Sequence, residues 1–242
     1  MKQAIMRNFK AIAFACGLTF CNVSFAASYT TLVLPTLTAD IRTWTDGAAY
    51  SSLFPSSAVF DSVPFQLQLD VNGNNVFVGP GAPGATGAIE TDIPVGVYGV
   101  SNVYTLINSA YGTMGVNIGS ITFNGSAGAS YTVSLIEGDN VRDHYYGSFV
   151  NSTSASYVTQ AVVGINDYGH AHLDMQNFAL PATFQTQTLT DIVFYSPGTP
   201  GGIPFLAGTT VAAIPEPETY AMLLAGLGLL GFMARHRKVP AA

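Results

Sequence analysis

Between residues 27 and 213 no segment of useful length repeats apolar side chains at the 3.6-residue period of a helix, and that absence constrains the fold more than any motif. Short β-type runs separated by turn residues recur instead: Thr31–Leu34, Val63–Val71, Asn75–Val78, Gly96–Leu106, Ser120–Asn124, Ser130–Glu137, Tyr157–Val163, Ala171–Phe178 and Thr188–Tyr195. Phe65-Gln66-Leu67-Gln68-Leu69 and Tyr131-Thr132-Val133-Ser134-Leu135 alternate apolar with polar residues, as half-buried strands do. Asn72-Gly73 stands between two such runs and predicts a hairpin. Pro80–Gly87 and Pro197–Gly202 read as loops. The expectation is an all-β chain with a single β-sandwich, jelly-roll-like domain over residues 27–213.

Charge sets the two ends apart from this middle. Only 9% of the residues are charged, and six of the eight basic ones lie at the ends: Lys2, Arg7, Lys10, Arg235, Arg237 and Lys238. The middle holds Arg42 and Arg142 against twelve acids, which excludes nucleic acid as a partner because displacing phosphate counterions needs clustered Lys or Arg. Neutral sugars and divalent cations are compatible with such a surface.

Residues 1–26 read as a signal peptide, with a basic start, the apolar run Ala11–Phe20, and a cut for signal peptidase after Ala26. Both cysteines, Cys16 and Cys21, fall inside it, so the exported protein is expected to have neither disulfide nor thiol chemistry. At the other end, residues 214–238 hold Pro215-Glu216-Pro217, the apolar run Tyr220–Ala234, and the basic end Arg235, Arg237 and Lys238. That order resembles the PEP-CTERM sorting signal of Gram-negative bacteria. The resemblance implies an exosortase as partner, a short transmembrane helix inserted transiently in the inner membrane, and delivery to the cell surface or extracellular matrix, commonly beside exopolysaccharide in biofilm. The stretch Val97–Leu180 is also similar to a domain of secreted bacterial proteins that often carry this tail; they share a β-sandwich character and have no assigned activity.

Candidate sites gather in two places. Glu137–Gly147 packs Asp139, Arg142, Asp143, His144, Tyr145 and Tyr146 into one short segment, a mixture of aromatic faces and planar polar groups suited to sugar hydroxyls. The competing reading pairs Arg142 with Asp139 or Asp143 to order a loop. Trp44, the sole tryptophan, is a candidate stacking platform or a core aromatic. His170, His172 and Asp174 share one face if they lie on a regular strand, a weak zinc candidate when joined by His144. Asp70-Val71-Asn72-Gly73-Asn74 begins like an EF-hand loop, but Asn75 and Gly81 stand where that loop needs Gly and Glu, so calcium is expected only in a site of another kind. No nucleophile-elbow, phosphate-loop or dinucleotide motif occurs, and no catalytic residue is assigned. The leading expectation is an exported, non-catalytic surface protein that binds exopolysaccharide. The alternatives are a secreted polysaccharide-acting hydrolase or lyase and a purely structural, self-associating surface protein.

Overall fold

A computed structural model describes residues 27–44, 50–79, 87–145, 149–166, 169–198, 200–214 and 217–236. The expected signal segment and its cut after Ala26 lie outside these residues, as do Tyr146, Pro215, Glu216, Arg237 and Lys238.

The described residues are all-β apart from 3-10 turns, among them Ile41–Thr43 and Ala182–Thr186, and one C-terminal helix. One antiparallel sheet runs in the order β1 (Ser28–Leu32), β12 (Ile203–Ala213), β6 (Val100–Ala110), β10 (Gly169–Ala179) and β9 (Val158–Asn166), with the two-residue β4 (Phe77–Val78) pairing on β12. A second runs β5 (Ile89–Tyr98), β11 (Thr188–Ser196), β7 (Asn117–Gly125) and β8 (Ser130–Ile136). Their facing sides close the sandwich. Phe77 of β4 meets Phe194 of β11 edge-on at 6.0 Å, and Phe123 of β7 meets Phe178 of β10 at 5.8 Å. Such aromatic pairs add about 0.5–1.5 kcal/mol each beyond the area they bury.

A third layer covers the other side of the larger sheet. The hairpin of β2 (Ser56–Phe60) and β3 (Val63–Leu67) lays Val63, Phe65 and Leu67 down there, with Ile41, Tyr50 and Phe54 beside them. Strand β12 is therefore buried on both faces from Pro204 to Ala213. Gly208 makes this packing feasible, since a β-carbon there would lie 3.3 Å from the Phe65 ring and 3.4 Å from Leu67.

The expected all-β sandwich is present, with two corrections to its wiring. The Asn72-Gly73 turn forms, closed by Asp70, whose Oδ1 accepts from the amides of Asn72 and Asn74 at 2.8 Å. The runs on either side do not pair with each other: β3 pairs with β2, and β4 with β12. The stretch expected as one strand over Gly96–Leu106 is two, broken at Gly99 with φ +71°, because the chain leaves one sheet there and enters the other.

The C-terminal helix α1 spans Pro217–His236, beginning on a proline, which suits a first helical turn, and carrying Arg235 in its last. Leu223, Leu224, Leu227, Leu230 and Phe232 are exposed. No helix among the described residues is long and apolar enough to cross a membrane. The apolar run reaches only about 22 Å at 1.5 Å per residue, against roughly 30 Å of hydrocarbon.

Candidate functional site

The segment after β8 is placed by a gap in the larger sheet. The backbone ladder between β6 and β10 runs only from Asn102–Ala179 to Leu106–Met175. Beyond it side chains replace the ladder. The Gln176 amide donates to Ile107 O at 2.8 Å and accepts from Ile107 N at 3.0 Å; Asn108 donates to Asp174 Oδ2 at 2.7 Å and accepts from the Asp174 amide at 2.7 Å. Into the opening fits the segment 142–145. Ser109 N donates to Arg142 O, His144 N to Ser109 O, and His172 N to His144 O, at 2.8–3.0 Å. Asp143 bridges Ser109, and Tyr145 bridges Ala171. As in any extended segment, successive side chains then point to opposite faces.

His144 points toward the third layer. Its ring packs on Trp44 at 5.3 Å and on Phe205 at 5.7 Å, and Tyr50 Oη lies 3.3 Å from its Nδ1. Burial, reinforced by His172, lowers its pKa to about 4, so it is neutral at physiological pH. Asp143 points the other way and is 1% exposed. Its carboxylate accepts from Tyr145 N at 2.8 Å and Gly112 N at 3.2 Å. Burial outweighs those amides and raises its pKa to about 6.

Glu137, just beyond β8, lies in the same interior. It is 1% exposed, and neither carboxylate oxygen has a hydrogen-bond partner among the described residues. Its carboxyl packs against Gly112 and Gly202; a β-carbon at Gly202 would come within 2.7 Å of Oε1, and one at Gly112 would overlap the group outright. Burial pushes its pKa up to about 8, with Asp143 adding to the rise and the Ser109 hydroxyl opposing it. That hydroxyl is itself fully buried and, although close, falls short of hydrogen-bond geometry to the carboxyl.

Asp143, His144 and Tyr145 open onto a cleft of about 350 Å³, walled also by Trp44, Tyr111, Phe149, Val78 and Ile203. It sits where β6 ends and β12 begins. Tyr111 stands at its edge, 46% exposed, with φ +61° and its ring edge-on to Phe149 at 5.5 Å. A bulky residue held in the left-handed region marks a position fixed by its surroundings. Trp44 lines the cleft and packs edge-on against Phe205 at 5.5 Å.

The remaining candidates are placed elsewhere. Asp139 accepts from Ser154 Oγ at 2.7 Å and ties down the loop before β9. Arg142 pairs with neither Asp139 nor Asp143. It reaches Asp174 with Nε and Nη2, both at 2.7 Å, and also donates to Asn151 O and Gln160 Oε1. Asp174 is thereby a structural counter-ion. A bulge between Leu173 and Asp174 breaks the alternation that put it in line with His172. Among the described residues no group of three or more His, Cys, Asp or Glu side chains could hold a metal, and the His170 side chain lies outside them. Sequence reasoning placed Glu137 at the start of the candidate segment without singling it out, and passed over Tyr111 and Phe149. Glu137 was within reach: it follows Val133 and Leu135 at the two-residue period of β8, on the inward face.

The C-terminal segment matches the family described as PEP-CTERM protein-sorting motif, over residues 213–238. The tail carries a PEP-CTERM sorting motif. That motif marks an exported, exosortase-sorted protein of the Gram-negative cell surface. No curated relative matches the chain. Among solved structures, AlgX of Pseudomonas aeruginosa matches at 10% identity over 59% of this chain and 28% of its own, with a TM-score of 0.28. The chain thus spans just over a quarter of AlgX, and a likeness so slight carries no argument.

Proposed function

We propose that this exosortase-sorted protein is a non-catalytic component of the cell surface or extracellular matrix, and that its aromatic cleft binds neutral exopolysaccharide. The observation that carries the reading is the cleft itself. Trp44, Tyr111, Tyr145 and Phe149 offer ring faces or edges for the C–H surfaces of sugars, and Asp143 and the neutral His144 offer polar atoms for hydroxyls. Twelve acids against two arginines between residues 27 and 213 disfavour an anionic polymer. Both arginines are already paired with aspartates, Arg42 with Asp40 and Arg142 with Asp174.

A polysaccharide hydrolase is the second reading, favoured by two acids so near one cleft. Glycoside hydrolysis needs two carboxyl groups flanking the scissile bond. Only Asp143 reaches the cleft wall; Glu137 lies buried behind it. The test is a glycan array with the full-length protein, run beside a turnover assay on the same glycans. Binding to neutral glycans without turnover, weakened at least tenfold in Tyr111→Ala, is the expected result. Turnover, or binding indifferent to Tyr111, overturns the reading.

A further inference from the structure

The Glu137–Ser109 pair behind the cleft takes no part in the glycan reading, and its side-chain oxygens have no hydrogen-bond partner among the described residues. Glu137 and Ser109 bring three side-chain oxygens, buried and without hydrogen-bond partners among the described residues, into one place. Asp143 shares Gly112 with this pair: the Gly112 amide donates to Asp143 Oδ2, and the Glu137 carboxyl packs against the same glycine. Arg142, five residues along the chain from Glu137, is committed to Asp174. Native interiors rarely leave polar atoms in this state, because an unmatched buried polar group costs on the order of 1–3 kcal/mol and a charged one more.

We propose that Glu137, Ser109 and Asp143 hold one hard divalent cation, calcium, beneath the floor of the cleft. The donors are all oxygen, which selects a hard ion over zinc or copper. Two carboxylates neutralise its charge. Asp143 keeps lone pairs beyond those its amide donors occupy, and backbone carbonyls and water entering through the cleft, which Asp143 lines, complete a shell of six to eight oxygens. The alternative occupant of the same cluster is a proton on Glu137. This inference stands apart from the glycan reading, since the cation can bind whether or not the cleft holds sugar.

The test is equilibrium dialysis of calcium chloride against full-length protein stripped with EDTA, with thermal melting in parallel. One calcium per chain is expected. Affinity should fall at least tenfold in Glu137→Gln and several-fold in Ser109→Ala, and stay unchanged in Asp92→Asn, an exposed acid remote from the cluster. Glu137→Gln should melt in EDTA no lower than the parent protein, which shows it folded, while losing the upward shift in Tm that calcium gives the parent. Magnesium should shift the parent less, since it gives up its waters reluctantly. No stoichiometric calcium binding by the parent, equal binding by Glu137→Gln, or a magnesium response as large as calcium's overturns the assignment.

Discussion

Two buried acidic clusters are built from one short segment of this protein, and they are opposite in kind. Asp174 is saturated: Arg142 holds both of its oxygens, Asn108 adds a third bond, and Gln160 and Asn151 secure the other side of the guanidinium. Glu137, five residues before Arg142, is as deeply buried with no counter-ion and no hydrogen-bond donor among the described residues. A saturated buried charge holds its surroundings in register. An unsatisfied one is a strain on the fold, kept for what it binds. The chain has only two arginines in this domain and places neither beside Glu137.

The largest expected effect comes from breaking the saturated cluster. Arg142→Met leaves Asp174 charged and buried, which should cost about 3–5 kcal/mol and lower Tm by roughly 10 °C, read by thermal melting. The same change should pull the segment 142–145 out of the gap between β6 and β10, exposing it to hydrogen exchange before the rest of the sheet.

A smaller effect, of distinct sign, comes from pH. With chelator present, Glu137 is held protonated in the folded state up to about pH 8, against 4.5 ordinarily. Its contribution to stability is therefore complete below about pH 4.5 and is lost as pH rises through 8. Asp143 behaves alike over the window from 3.8 to about 6. His144, lowered from 6.5 to about 4, acts in reverse and costs stability as pH falls through that window. Melting in EDTA should accordingly show Tm falling by about 5 °C between pH 6.5 and 8, at roughly 1.4 kcal/mol per pH unit, with the slope abolished in Glu137→Gln. A flat profile in the parent protein would place the Glu137 proton elsewhere.

The contrast between the clusters also shows what the sequence discloses and what it withholds. Local alternation was readable: it gave the sandwich strands, and through Val133 and Leu135 it points Glu137 inward, so the unsatisfied acid could have been found. Pairing across the chain was not readable. Arg142 has acids three residues before it and one after, yet it chose Asp174, thirty-two residues away, because the gap between β6 and β10 delivers the guanidinium there. Strand β12 was missed for a related reason. Pro204 and Gly208 look like breakers, but Pro204 stands near the strand's start and Gly208 at a bulge where the third layer presses down. Asp174 leaves the face of His172 at a single bulge, which no residue between them announces. Trp44 and Tyr145, candidates from the sequence, line the cleft, whereas Tyr111 and Phe149, lone aromatics in ordinary company, carried no signal.

The most direct test of this division is to neutralise each buried acid in turn and compare the two melts in EDTA at pH 8. Asp174→Asn should lower Tm by several degrees, because it leaves the Arg142 guanidinium without its counter-charge. Glu137→Gln should raise Tm or leave it unchanged, because it removes a carboxyl that nothing in the fold neutralises. Two losses of similar size would contradict the account, since they would mean that both acids serve only to hold the fold together.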